Sequence, residues 1–370
     1  MATNGKPPFR SDHVGSMLRP KELLAAREHR KKGKITSEEL REIEDIAIKG
    51  VIAKQEAIGL QSITDGEFRR AYFHIDFLDH LKGVIVKGGL PMKFRGAAGE
   101  REFSPPRMEV VGSLERVRQI TVDDFAFLNA AAKGVPKQCI PSPTMLHFRG
   151  GRAAISEEVY PDIEEFFSDL ARAFREEIAG LYTAGCRYVQ LDDTNLAYLC
   201  DPEIRERTRQ IGEDPDALPA LYARIINDAI SQRPSDMAVC IHLCRGNFRS
   251  SWVAEGGYEP VAEALFNELA VDGYFLEYDD ERSGDFAPLR HVPKGKTVVL
   301  GLVSSKMPTL ESKDELKKRI DEAAVYMPLE QMALSPQCGF SSTEEGNEIT
   351  EDDQYAKLRL VIETAADVWG

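Results

Sequence analysis

The feature that most constrains the fold is the regular alternation of eight short apolar runs with longer amphipathic, helix-like stretches. The runs lie at residues 13–16, 62–67, 139–146, 188–193, 237–244, 274–278, 297–305 and 332–338. Apolar strands separated by helices are typical of a parallel sheet that is covered on both faces. Eight such units predict a (β/α)8 TIM barrel, for which about 250 residues are usual and insertions are common.

The chain is longer than a minimal barrel, and the surplus lies mainly in one segment. Of the 370 residues, those at 71–136 are charged, contain Gly and Pro, and show no regular period. We expect this insertion to form a hairpin or lid beside the barrel mouth. The remainder predicts a single domain over residues 1–370, with one helix that begins near Ser156, where a capping residue is followed by acids.

Composition narrows the classes of function. The formal net charge of −14 argues against a protein that wraps nucleic acid, which needs a basic face. No apolar run approaches the roughly 20 residues that span a bilayer, and residues 1–16 contain no apolar signal segment. The six cysteines are sparse, which favours reduced thiols in the cytoplasm. Barrels of this size often pair, so a homodimer is one expectation.

Residues able to do chemistry stand at the C-terminal ends of the runs, the face on which barrel active sites are built. The alternative is that strands end in polar residues simply because loops begin there. The residues in question are Ser16, Asp65, Glu67, Asp192, Asp193, His242, Cys244, Glu277, Ser304, Ser305 and Cys338.

The stretch CIHLC at 240–244 places His242 and Cys244 two residues apart on a predicted strand, so both side chains point to the same face. Glu277 ends the next strand and Cys338 follows the last one. One nitrogen, two sulfurs and one carboxylate oxygen form a tetrahedral ligand set that suits Zn²⁺. The competing interpretation is a core position, since buried cysteine often acts as a small hydrophobe. Cys240 lies deeper in the strand and is assigned to the core.

Four segments resemble the catalytic barrel of cobalamin-independent methionine synthase. They are the ligand set ending in PQCGF (336–340), HVGSMLRP (13–20), TDGEFRR (64–70) and YVQLDD (188–193). The resemblance extends from about residue 8 to residue 365. Within that family, the chain is similar to the short, single-barrel branch. It implies a 5-methyltetrahydropteroyltriglutamate–homocysteine S-methyltransferase that makes methionine, with a methyltetrahydrofolate-type donor and Zn²⁺ as its cofactor.

The resemblance also implies roles for individual residues. His242, Cys244, Glu277 and Cys338 would hold the zinc. Ser16, Glu67 and Asp192 would bind homocysteine, with Asp192 at its ammonium group. Phe148 stands where the family has a Trp beside the methyl donor.

The chain departs from the family at one catalytic position. The family has a histidine in an His-Ser-Pro segment after strand seven, where this chain reads GLVSSKMP (301–308). His13, beside a predicted strand end, is one residue that could replace it as an acid.

Three other functions remain open from the sequence. One is a different zinc-dependent thiol alkyltransferase or lyase, similar to the epoxide–coenzyme M transferases. Acids such as Glu67 and Asp192 favour an amino-thiol acceptor, whereas arginines there would favour a sulfonate. The second is a metal-free barrel lyase in which the Cys/His set is core, and the third is a non-catalytic binder of zinc or homocysteine.

Overall fold

The predicted runs form a parallel β-barrel in the computed structural model, which describes residues 6–89, 92–96 and 99–370. Strands β7 to β12 form one parallel sheet in the order β12-β11-β10-β9-β8-β7, and β1 pairs in parallel with β6. The strands are β1 (Ser62–Ile63), β2 (Lys82–Lys87), β3 (Met92–Gly96), β4 (Gly99–Phe103), β5 (Arg107–Glu115), β6 (Val135–Pro136), β7 (Gln138–Pro141), β8 (Tyr188–Asp193), β9 (Ala238–Leu243), β10 (Gly273–Glu277), β11 (Thr297–Val303) and β12 (Met332–Pro336).

The first predicted run occupies its place in the ring but is not a strand. Asp12 N donates to Leu334 O at 3.0 Å and Leu334 N donates to Arg10 O at 2.9 Å, so the chain pairs with β12 just before the run. Residues 13–16 then turn toward the mouth through Gly15, whose φ of 134° favours glycine. The prediction of a (β/α)8 TIM barrel is confirmed, with this segment corrected.

Most of the helices cover the outside of the barrel, while two short ones contribute residues to the cavities at its mouth. The helices are α1 (Lys21–Lys31), α2 (Ser37–Ala57), α3 (Ile75–Leu78), α4 (Val122–Ala131), α5 (Met145–Phe148), α6 (Ile163–Thr183), α7 (Asn195–Tyr198), α8 (Pro202–Gln210), α9 (Leu218–Ile230), α10 (Lys313–Ala324) and α11 (Glu351–Trp369). None of those in the described part of the chain combines the length and the apolar character that crossing a bilayer requires.

The predicted helix start at Ser156 is wrong. Helix α6 begins at Ile163, and the side chain of Asp162 caps it by accepting from Glu164 N at 2.9 Å. Pro161 explains the difference, because a helix that began at Ser156 would place this proline in its interior. The backbone N–H of Ser156 instead donates to Val110 O at 2.9 Å and ties this loop to the insertion.

The insertion contains two nested antiparallel pairs, β2 with β5 and β3 with β4, as expected for a hairpin. Its inner pair is fastened to the loop after β9 by reciprocal backbone hydrogen bonds of 2.7 Å between Arg95 and Trp252. The rings of Phe103 and Phe248 also stack there, with centroids 4.0 Å apart. The inner pair, β3 and β4, therefore forms a cover over the barrel mouth.

A compact apolar layer fills the barrel below the mouth. It consists of Val14, Tyr188, Cys240, Phe275, Val299 and Ala333. Cys240 thus lies in the core, as its depth in the strand indicated. Because alternate residues of a strand share a face, the side chains that follow this layer at positions 242 and 277 point into the mouth.

Candidate metal centre and adjoining cavities

Three strands of the barrel, β9, β10 and β12, deliver the candidate metal ligands to one point. His242 lies on β9 opposite Phe275 of β10, and Glu277 is two residues farther along β10 on the same face. Cys244 follows the end of β9, and Cys338 follows the end of β12. All four residues are buried. The parallel strands of the barrel therefore bring residues that are far apart in sequence together in one cluster.

The spacing of the four donor atoms suits a small tetrahedral ion. One donor atom from each of His242, Cys244, Glu277 and Cys338 lies within 4.8 Å of all the others. The two sulfurs are 3.4 Å apart, too far for a disulfide. Zinc bonds of 2.0–2.3 Å in a tetrahedron require donor separations of about 3.3–3.8 Å. The residues therefore fit a zinc ion, with small movements of their side chains.

Unpartnered atoms strengthen this fit. Both ring nitrogens of His242 and Oε2 of Glu277 are buried and have no hydrogen-bond partner among the described residues. The other oxygen, Oε1, accepts from Arg245 N at 2.9 Å, which fixes the orientation of the carboxylate. A buried polar atom without a partner costs about 1–3 kcal/mol. A bound cation would satisfy one ring nitrogen of His242 and Oε2 of Glu277 together.

The charge of the cluster also favours a cation. The hydrogen bond with Cys244 lowers the pKa of the Cys338 thiol well below its usual value, and the pKa of Cys244 is raised in turn. Two positive side chains lie at its edge: Lys306 Nζ is 4.0 Å and Arg282 Nη2 is 3.8 Å from Glu277 Oε2. They offset part of the negative charge that two thiolates and a carboxylate would bring.

The predicted substrate residues face the same cavity as the metal cluster. This space of about 680 Å³ is lined by Ser16, Glu67 and Asp192 together with His242, Cys244 and Cys338. Ser16 is held at its edge, where Phe340 N donates to its carbonyl oxygen at 3.0 Å. The structure thus brings the predicted thiol-activating and amino-acid-binding residues to one site.

Glu67 is held in a constrained backbone conformation. Its φ is 59°, directly after Gly66 at 69°, which is unusual for a residue with a side chain. Asp65 Oδ1 accepts from Glu67 N at 2.7 Å, and Arg19 Nη2 donates to Glu67 O at 2.7 Å. These bonds stabilise the turn, and the Glu67 carboxylate pairs with Arg70 at the cavity wall.

Asp192 has an unusual ionisation. Burial and the nearby charge of Glu67 raise its pKa to about 7, although Gln190 Nε2 donates to Asp192 Oδ1 at 2.7 Å. Cys139 lies close to both acids, with donor atoms of the three residues within 4.8 Å of one another. A ligand ammonium group placed between the two carboxylates would stabilise their charged forms.

Two predicted residues lie away from the metal cluster. Phe148 lines a second, outer cavity of about 1700 Å³, where its ring contacts Tyr198 and Tyr222 edge-on. His13 is buried beneath the mouth, with Nε2 3.1 Å from Ser62 O, and lines neither of these two cavities. Burial lowers the His13 pKa to about 4, which leaves the ring neutral near pH 7.

Sequence reasoning assigned no role at the site to the side chains of three polar residues near these cavities. Lys306 is buried beside the metal cluster, and its Nζ has no hydrogen-bond partner in the described part of the chain. His74 and Arg149 line both cavities. Lys306 is visible in the sequence as a residue of the segment that lacks the family histidine, but no local pattern marks it as part of the site.

Comparisons with known proteins show which family this chain resembles in sequence and fold. A family model described as "Cobalamin-independent synthase, Catalytic domain" matches residues 9–366. "Uncharacterized protein YxjH" of Bacillus subtilis (strain 168) is 47% identical and covers 98% of this chain and 96% of its own length. "Methionine synthase" of Pyrococcus abyssi is 25% identical, covering 88% of this chain and 84% of its own length. The crystal structure of a candidate vitamin-B12 independent methionine synthase from Listeria monocytogenes is 42% identical, with a TM-score of 0.80 and 99% coverage of each chain.

Proposed function

This chain belongs to the cobalamin-independent methionine synthase family, whose catalytic domain it matches, and from that membership we propose that it methylates the thiol of homocysteine to give methionine. The observation that carries the proposal is the shared cavity: the His242, Cys244 and Cys338 donors face the same space as Glu67 and Asp192. A thiol and an ammonium group of one small amino acid could reach the two sets of residues together.

We propose that His242, Cys244, Glu277 and Cys338 hold Zn²⁺. When bound, zinc would keep the acceptor thiol in its thiolate form, which is the nucleophile. The protein supplies the orientation: Arg245 N fixes one oxygen of Glu277, and the positive charges of Lys306 and Arg282 lie close to the other.

Homocysteine would be oriented by its polar end. Asp192 and Glu67 form an acidic wall for the ammonium group, and the buried Ser16 hydroxyl lies beside the backbone of residues 339–341 as a further polar contact. The acidic wall favours an amino-thiol over a sulfonate thiol, because two carboxylates would repel an anionic head group.

The methyl donor would enter through the outer cavity. This space has Phe148 in an otherwise largely aliphatic wall and meets the thiol cavity at His74, Arg149 and Tyr198. We propose a methyltetrahydrofolate-type donor there. In the reaction an S–C bond forms as the N–C bond of the donor breaks, and the proton released by the thiol ends on the departing nitrogen.

The test combines metal content with turnover. Purified protein, prepared without chelators, should contain about one zinc per chain and convert homocysteine to methionine with 5-methyltetrahydropteroyltriglutamate. Cys338→Ser should lose the zinc and reduce methyl transfer more than about 100-fold while remaining folded. Cys186→Ser is the matched control, because Cys186 is equally buried but lies outside the cluster, and it should keep both.

Coenzyme M offered in place of homocysteine tests the competing acceptor. Methylation of coenzyme M but not homocysteine would replace our assignment with a different thiol alkyltransferase. Folded protein without zinc and without turnover of either thiol would refute thiol alkylation at this site.

A further inference from the structure

Two polar side chains at the junction of the two cavities have buried nitrogens without hydrogen-bond partners in the described part of the chain. His74 is 3% exposed, and neither of its ring nitrogens has a hydrogen-bond partner among the described residues. Arg149 has its Nε buried without a hydrogen-bond partner in the described part of the chain, and burial lowers the pKa of its guanidinium group. Both residues line the thiol cavity and the outer cavity.

Other arginines around the mouth make side-chain hydrogen bonds within the protein, although Arg19 and Arg69 each leave at least one buried nitrogen without a partner among the described residues. Arg19 donates to Ser341 Oγ and to the backbone oxygens of Glu67 and Arg70. Arg69 pairs with Asp45 at 2.8 Å. Arg149 differs from these two in that its side chain donates no hydrogen bond to any described residue.

Leaving such groups without partners is unfavourable. An unmade hydrogen bond of a buried group costs about 1–3 kcal/mol, and an unpaired buried charge costs more. In native proteins these groups are almost always satisfied, and a ligand is one means of doing so. Burial and the charges of Arg149 and Arg70 lower the pKa of His74 well below its ordinary value. Near neutral pH it therefore offers one donor and one acceptor.

The surrounding walls indicate the chemical class of the ligand. On the outer side of the junction the cavity is lined mainly by apolar side chains, including Met108, Met145 and Leu146. On the inner side lie the donors of the metal cluster. A molecule that fits both would have an apolar body and hydrogen-bond acceptors near the end that faces the thiol.

We propose that His74 and Arg149 bind the methyl donor at the junction, through acceptor atoms of its ring system close to the transferred methyl group. This inference rests on the proposed function and adds two residues that position the donor. Arg149 supplies hydrogen-bond donors to an oxygen or nitrogen of the donor ring, and His74 supplies a second contact. Neither residue contacts the metal ligands in this assignment, so zinc binding and homocysteine binding do not depend on them.

The test compares two methyl donors in four variants: His74→Ala, His74→Gln, Arg149→Gln and Arg149→Lys. 5-Methyltetrahydropteroyltriglutamate, the donor of the proposed function, presents a ring with acceptors, whereas methyl iodide presents none. With the folate, kcat/KM should fall at least 10-fold in His74→Ala and Arg149→Gln, with smaller losses in His74→Gln and Arg149→Lys. With methyl iodide, all four should stay within about twofold of the wild type after subtraction of the rate of zinc-free protein. These ratios follow from the loss of one or two hydrogen bonds.

Arg359→Gln is the matched control, since Arg359 is an exposed arginine of α11 that lines neither cavity, and it should leave both rates unchanged. Zinc content and the homocysteine dissociation constant should be the same in all variants. Equal losses with both donors, or no loss with the folate, would overturn the inference and leave the proposed function standing. A wild type that methylates homocysteine with methyl iodide but not with the folate contradicts both this inference and the donor assignment. A zinc-loaded wild type that accelerates neither reaction refutes the proposed function itself, and the inference with it.

Discussion

Charged groups are buried at both the floor and the mouth of the barrel, but the two levels differ in whether the protein supplies hydrogen-bond partners for them. At the floor, the carboxylate of Asp12 accepts from Ser62 Oγ at 2.7 Å, from Tyr188 OH at 2.8 Å and from Lys137 Nζ at 3.3 Å. At the mouth, Lys306 Nζ has no hydrogen-bond partner in the described part of the chain, and its nearest carboxylate oxygen, on Glu277, is 4.0 Å away.

This difference separates structural from functional burial. The Asp12 cluster is complete within the protein, so its charges hold segments that are far apart in sequence and require nothing from outside. The mouth keeps polar atoms unsatisfied, a state that lowers stability and is expected where a metal ion or substrate completes the site. The comparison therefore predicts that matched substitutions at the two levels will have different consequences.

The largest expected effect on stability comes from replacing Lys137 with Met. Lys137 is fully buried between Asp12 and the rings of Tyr188 and Phe275, so its removal leaves a buried carboxylate without its counter-charge. Breaking a buried pair from one side costs about 3–5 kcal/mol. Denaturant unfolding of Lys137→Met should show a loss of this size, and the double variant Asp12→Asn/Lys137→Met should recover part of it.

Lys306→Met makes the same chemical change at the mouth. Because Lys306 has no hydrogen bond to lose, we expect the metal-free protein to change by less than about 1 kcal/mol in its free energy of unfolding. Methyl transfer should nevertheless fall, since the charge beside Glu277 is removed. Equal destabilisation by the two Lys→Met substitutions would show that the buried charges at the floor and at the mouth do not differ in their contribution to stability.

The sequence predicted much of this arrangement and missed its unsatisfied groups for a clear reason. The strand period placed His242 and Cys244 on one face, and the order of parallel strands placed Glu277 beside them. The register of β12, which brings Cys338 to the same point, follows from barrel closure. Whether His74 or Arg149 finds a partner depends on which side chains surround them in the fold, and no local pattern encodes that. Pro161 was the local signal that should have moved the start of α6.

His13 gives a smaller, pH-dependent effect near the floor. Its pKa is lowered to about 4 by burial, against an ordinary value of 6.5, so the unfolded chain binds a proton more readily between these values. The contribution of the neutral His13 ring to the free energy of unfolding is therefore fully present above pH 6.5. It is lost as the pH falls toward 4, by about 2 kcal/mol at pH 5. Chemical denaturation between pH 7 and 5 should show a shallower decline in His13→Asn. An unchanged slope would show that this histidine does not control acid stability.

The smallest expected effect is that of Cys139→Ala, which tests whether the second group of close donor atoms also holds a metal. Cys139 lies beside Glu67 and Asp192, but burial and these two acids raise the pKa of its thiol well above the usual value. Its Sγ lies 3.2 Å from Val14 O and donates to that oxygen, so the thiol is already used as a neutral donor.

A neutral thiol beside two carboxylates is suited to an ammonium group rather than to zinc, which takes cysteine as the thiolate. The Cys139→Ala protein should therefore keep the same zinc content as the wild type, and its homocysteine dissociation constant should change by less than about threefold, as expected for one neutral hydrogen bond at the cavity edge. Elemental analysis and calorimetric titration measure the two quantities on the same sample. Loss of a second equivalent of metal from Cys139→Ala would show that the acidic wall is itself a metal site. Homocysteine would then need another place for its amino group, and the division of the mouth into a thiol-activating half and an ammonium-binding half would have to be abandoned.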